Sequence, residues 1–290
     1  MNKLLIVTAV LMITVQGVTM KLYSRKCKPN LTDAIVYNLF FAVISVVFLP
    51  LLFGGIGTIS LPTLLIGGAF GLVKTGTNFC YYLAIASGAL SLSSLCLSCS
   101  LVVPVLVGLV FWNESVNTWQ IAGLFFLLAA LLSGVNKQDG KWKLLWLLYG
   151  LGTLLCNGMV SVTQKLHQMV LPGQESTGFL LVGNIVSAVL FISIYLWFRH
   201  GKKIKPQARL NGFFWLAVGI PAVLGLLVSQ IMMHLSISTP SVILFPLVNG
   251  GTILSSSLVA VLLLREHLSM KQITGVLCGV AAVALLGAAA

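Results

Sequence analysis

One lysine, Lys74, stands at the midpoint of an unbroken apolar stretch, residues 64–86, LLIGGAFGLVKTGTNFCYYLAIA. About 20 helical residues at ~1.5 Å each cross a ~30 Å hydrocarbon core, which puts Lys74 roughly 15 Å from either face. Its stem is too short to snorkel from that depth, and a charge there costs from about 3 to more than 10 kcal/mol. Such an ammonium is tolerable where it faces water, a counter-charge or a ligand. Helical spacing sets Thr77, Asn78, Tyr81 and Tyr82 on the same face, a polar and aromatic stripe on an oily helix. The stripe reads as a cavity wall, and Lys74 as an anchor for a carboxylate or phosphate.

Other polar residues fall in apolar runs. Gln230 and His234 lie in a stretch near 212–236, and Asn249 precedes Gly250 and Gly251, shortly after Pro246. Proline and paired glycines free backbone groups that water, protein or ligand must then satisfy. A serine-rich run includes Ser94 and Ser98, and Asn38, Asn184, Asn157 and Gln16 are further buried amides. The candidate solute contacts are therefore Lys74, Asn78, Tyr81, Tyr82, Gln230, His234, Asn249, Ser94, Ser98, Asn38 and Asn184. Glu114 and Glu266 fall at helix ends, placed to receive backbone donors at the start of the next helix. Lys21 and Lys165, also near helix ends, are expected to snorkel.

The elements carrying these residues are membrane spans. Of 290 residues, 58% are hydrophobic and 8% charged, far from the quarter charged that is usual in soluble domains. Apolar windows predict ten spans near 3–23, 33–53, 63–86, 90–112, 117–136, 143–167, 177–198, 212–236, 241–264 and 270–288, with short connections. The net charge of +12 does not point to nucleic acid. Fourteen of the 17 lysines and arginines fall after spans 1, 5, 7 and 9, on one face of a ten-span bundle. The positive-inside rule makes that face cytoplasmic and both termini external, in a plasma (inner) membrane. Cys96 and Cys99 lack the partners of a metal site, and the six cysteines read as small core residues without disulfides. No HExxH, GxSxG or in-span aspartate pair suggests an enzyme.

The chain also repeats. A shift of 152 lays Glu114 on Glu266, Gln120 on Gln272 and Gly123 on Gly275; a shift of 146 lays Asn38 on Asn184. Two five-helix halves result, residues 1–138 and 139–290. Five is odd, so the second half enters the membrane from the opposite side, giving an inverted repeat with a site expected at the midplane between halves. The same shift of 152 carries Lys74 to Leu226, Asn78 to Gln230 and Tyr82 to His234. Only one half keeps the charge, as an asymmetric ligand would require.

The repeated E-x5-Q-x2-G (Glu114-Gln120-Gly123 and Glu266-Gln272-Gly275), with Gly17-x3-Lys21 and Pro29 after the first span, resembles the ten-helix, EamA-like branch of the drug/metabolite transporter superfamily. The resemblance implies an all-α basket of ten transmembrane helices around a central site, moving solute by alternating access. Studied members of that superfamily have cytoplasmic termini, the reverse of what the loop charges here indicate. The expectation is a secondary transporter, not an enzyme, for a small polar metabolite carrying a carboxylate or phosphate, such as an amino acid. It would use no cofactor and no metal, would work in the lipid bilayer as a monomer or homodimer, and would couple to a proton or other ion if driven. The alternatives are an organic-cation transporter with an aromatic-lined site and, in another class, a membrane-embedded lipid-handling protein or enzyme.

Overall fold

In the computed structural model of the protein, the described residues are 3–27, 31–87, 96–97, 99–114, 117–133, 144–202, 211–262, 274, 277–282 and 285. Among them the ordered elements are helical: α1 (Lys3–Cys27), α2 (Leu31–Phe53), α3 (Leu61–Ser87), α4 (Val102–Phe111), α5 (Thr118–Ser133), α6 (Leu144–Val170), α7 (Ser176–Lys202), α8 (Gly212–Ser238) and α9 (Ser241–Leu262). The expected tenth span falls mostly outside these residues. Three segments, Thr32–Phe53, Ser176–His200 and Gly212–Ser238, are long and apolar enough to cross a membrane by length and composition. A helix satisfies its own backbone groups, which a lipid-exposed chain must do.

The helices turn large apolar side chains outward. Leu4 and Phe111 are 75% exposed and Trp197 is 80% exposed, which suits hydrocarbon and not water. Polar side chains are buried instead, among them Thr14, Thr63, Thr75, Thr153 and Ser187. Small residues let the interior helices close up. On α3, a Cβ added at Gly71 would meet the Gly183 carbonyl of α7 at 2.6 Å, and one at Gly183 would meet Phe70 at 2.3 Å. The Gly67-x3-Gly71 step thus packs α3 on α7 within one chain. Across α3 and α6, Cys156 fills the space over Gly76 and Cys80 that over Gly152; both cysteines are free thiols, in keeping with small core residues. Thr75 and Ser187 then bond across the α3–α7 seam at 2.7 Å.

Proline shapes α8. Pro221 has no N–H to give the Ala217 carbonyl, and the buried Tyr37 hydroxyl of α2 donates to that carbonyl at 3.0 Å instead. The Pro221 carbonyl accepts from Gln16 Nε2 of α1 at 2.6 Å. At Gly225, a Cβ would sit 2.8 Å from that same nitrogen. Gln16, Tyr37 and Pro221 therefore fix α8 against α1 and α2.

Candidate functional site

A cavity of about 210 Å³ lies between α1, α2, α3, α7 and α8, lined by Gln16, Phe41, Ser45, Lys74, Asn184, Gly225, Leu226, Val228 and Ser229. Its charged lining residue is Lys74, thirteen residues into α3 from Leu61 and thirteen short of Ser87, and so at mid-helix. The ammonium donates to Asn184 Oδ1 at 2.7 Å. It also sits over two phenyl rings, 5.4 Å from the Phe41 centroid and 5.7 Å from that of Phe70, where ring quadrupoles attract a cation. Asn184 is held in turn, its Nδ2 donating to the Leu180 carbonyl one turn back at 2.7 Å. That bond fixes the amide so that its oxygen faces the lysine. The close α3–α7 approach at Gly67, Gly71 and Gly183 brings the two residues within reach of each other.

The positive charge is met by a neutral amide and aromatic faces, with no carboxylate among the described residues that line the cavity. Ser45 donates its hydroxyl to Phe41 O at 2.8 Å, which leaves the oxygen's lone pairs toward the space. Leu226, the counterpart of Lys74 under the 152 shift, forms part of the same wall. Within one cavity the two positions that this shift superposes are thus a cation and a hydrocarbon.

Lys74 and Asn184 are brought together here; the other described sequence candidates lie elsewhere. Asn78 and Tyr81 are half-buried on α3 beyond the cavity lining. Gln230 donates to Thr177 at 3.1 Å, and its neighbour Ser229 faces the cavity instead. His234 is exposed. Asn249 and Asn38 each donate to the carbonyl four residues back, Phe245 and Ala34, at 2.9 Å. Ser94, Ser98 and the Tyr82 side chain lie outside the described residues. Phe41, Gln16 and Ser229 join the site through helix register, which sequence periodicity within one segment does not specify.

Two further polar clusters close one end of the helices. Glu114 serves a distant helix, not the one that follows it: it accepts from the backbone N–H groups of Ser241 at 3.0 Å and Val242 at 3.2 Å, at the start of α9. It pairs there with Lys165 of α6, the two side chains being 10% and 7% exposed. Lys165 therefore does not snorkel; it also donates to the Thr239 carbonyl at 3.3 Å and lies 5.3 Å above the Trp112 ring. The left-handed backbone at Asn113 (φ 50°) turns the chain, and Gly108 leaves room for the carboxylate.

One half-turn further along α6, the fully buried His167 holds the second cluster. Its Nε2 meets Thr63 Oγ1 at 2.9 Å, and Thr63 donates its proton to Glu175, so the ring nitrogen is the donor. The other nitrogen accepts from Gln168 at 3.2 Å. Glu175 also accepts from the Ser60 backbone at 2.9 Å and the Ser60 hydroxyl at 2.7 Å. These bonds, the Thr63 hydroxyl foremost, hold the Glu175 carboxyl in the α6–α7 loop down to about 2. Neither cluster is suggested by local pattern, because each forms between segments more than fifty residues apart in sequence. The described residues include no grouping that could hold a metal ion.

Residues 2–133 match the EamA-like transporter family. No curated protein matches the chain. Among solved structures 28 chains match. One of them, a crystal structure of another protein, superposes with a TM-score of 0.72 over 97% of this chain and 94% of that one, at 18% identity. At that identity the likeness speaks to the fold alone.

Proposed function

We propose that this chain, whose residues 2–133 match the EamA-like transporter family of the drug/metabolite transporter superfamily, binds an anionic group of a small metabolite at Lys74 and carries it across the membrane. The family and the apolar helices make it a multi-pass membrane protein of a transporter family. The anion reading rests on one observation: a mid-helix ammonium at a cavity wall, paired with an amide and not with an acid. A carboxylate or phosphate entering that space completes the ion pair. A charge-assisted bond of this kind contributes about 1.5–3 kcal/mol, or roughly 10- to 100-fold in affinity. Leu226, Val228 and Phe41 would cover the apolar part of the solute. An organic cation would meet Lys74 with like charge, which counts against the aromatic-cage reading.

The transport cycle in this reading is alternating access between two inverted halves. Helix packing supports it. The α1–α8 contact has a counterpart in α6–α3 under exchange of first and sixth, third and eighth spans, α2–α8 has one in α7–α3, and α2–α7 is its own image. Asn38 and Asn184 donate to equivalent carbonyls, as repeat partners should. The Glu114–Lys165 and His167–Glu175 clusters lie at the same end of α6, about 16 Å or so along the helices from Lys74 at ~1.5 Å per residue, and would seal the charge-poor, external side. The charged loops would face the cytoplasm, with solute reaching the cavity from there. A thermal-shift screen of carboxylates and phosphate esters tests the reading: binders raise the midpoint of the native protein by mass action. Lys74→Gln is expected to abolish those shifts, and shifts that persist unchanged in the variant would overturn it.

A further inference from the structure

Resting on the anion reading of this cavity, we infer that the site selects solutes with a net single negative charge and no ammonium group, so that 2-hydroxy or 2-oxo acids fit and the corresponding 2-amino acids do not. The absence of a carboxylate from the described lining residues is what divides the two classes. An amino acid brings its ammonium within a few ångströms of its carboxylate. If the carboxylate meets Lys74, the ammonium needs a negative partner beside it. The groups at hand are the amide oxygen of Asn184, already accepting from Lys74 at 2.7 Å, the carboxamide of Gln16, which donates to Pro221, the Ser45 and Ser229 hydroxyls, and the hydrocarbon of Leu226 and Val228.

The remaining acids among the described residues do not supply the partner. Glu114 is paired with Lys165 and Glu175 with Thr63 and Ser60, both at the end of α6, and Asp33 lies in the first turn of α2. The ligand's ammonium would thus sit close to the Lys74 ammonium. Like charges a few ångströms apart at an effective dielectric near 20 disfavour such a pose by roughly tenfold or more. A hydroxyl or keto oxygen at that position carries no such penalty and can accept from Ser229, and a solute hydroxyl can donate to the Ser45 oxygen, whose own proton goes to the Phe41 carbonyl. The cavity volume, near 210 Å³, leaves room for a small acid.

The test uses the full chain in lipid nanodiscs at pH 7.4, with matched pairs sharing a methyl, isopropyl or benzyl side chain: lactate and alanine, 2-hydroxy-3-methylbutanoate and valine, 3-phenyllactate and phenylalanine. Affinities come from ligand titrations of the thermal midpoint, on wild type, Lys74→Gln and Asn184→Asp. At least one hydroxy acid is expected to bind at least tenfold more tightly than its amino partner, and Lys74→Gln to remove that binding. Asn184→Asp places a carboxylate against Lys74; it should weaken hydroxy-acid binding tenfold or more and close the gap to the amino acid. Amino acids that bind wild type as tightly as their hydroxy partners, in a Lys74-dependent way, overturn this selectivity and leave the anion anchor intact. No acid of either kind binding through Lys74 overturns both. The wild-type comparison decides the selectivity even if a variant fails to fold.

Discussion

Lys74 is tolerated at mid-helix because three groups share its charge, and its proposed anchoring role depends on none of them being an acid. The Glu114–Lys165 pair has the opposite character, since each buried charge is neutralised by the other. Removing one partner of such a pair costs about 3–5 kcal/mol, because the other is left buried and uncompensated. Lys165→Met is therefore expected to lower stability by roughly that amount, and adding Glu114→Gln to the same chain should recover part of the loss in a denaturation double-mutant cycle. Two losses that simply add would refute the coupling. Glu175 makes a prediction in pH. Its folded carboxyl titrates at about 2, below the ordinary 4.5, so its contribution is fully present above about pH 4.5 and disappears as pH falls toward 2. The midpoint gap between wild type and Glu175→Gln should stay constant from pH 7 to 5 and shrink below it; a gap independent of pH would contradict this bonding.

At the scale of elements, the site exists because α3 and α7 approach closely enough for Lys74 to reach Asn184. A methyl at Gly71 would collide with the Gly183 carbonyl at 2.6 Å, a backbone atom that cannot move aside cheaply, whereas one at Gly68 meets nothing within 4 Å. Gly71→Ala is expected to cost about 1–3 kcal/mol by overpacking and to weaken anion binding as the helices part. Gly68→Ala should be silent in both measurements. Equal effects of the two would show that this seam does not position the site. Tyr37→Phe strands the Ala217 carbonyl beneath Pro221, with an expected loss of about 1–3 kcal/mol in unfolding experiments.

This scale also marks what the sequence makes legible. A charge inside an apolar run identifies Lys74 without any structure, since hydrophobic length and charge are properties of a single segment. Asn184 is visible as an amide inside an apolar run and as the partner of Asn38 under the 146 shift. Phe41, Gln16 and Leu226 depend on the rotation of one helix against another. A single step of ~100° separates Ser229, on the cavity, from Gln230, which turns to Thr177. The Lys165–Glu114 pair was open to reading from charge alone, since both residues fall on the face with few charges, but local helix-end chemistry suggested different partners for each.

For the whole molecule, the proposed two-fold relation matters mainly where it breaks. Equivalent helices pack in equivalent ways, and the paired asparagines keep the same local bond, yet Lys74 faces Leu226 across one cavity. A transporter built of near-equal halves can offer a solute one polar and one oily wall without disturbing the symmetry that lets the halves rock. In the proposed cycle the end that carries both polar clusters would open, which would break the Glu114 and Glu175 contacts together. Solute flux into proteoliposomes, at substrate concentrations below saturation, tests the central claim most directly. With the tightest-binding acid from the thermal screen, Lys74→Arg should retain a measurable share of wild-type uptake and Lys74→Gln should fall at least tenfold, while both variants keep wild-type midpoints without ligand. Uptake by Lys74→Gln at the wild-type rate would contradict the claim that this ammonium holds the cargo.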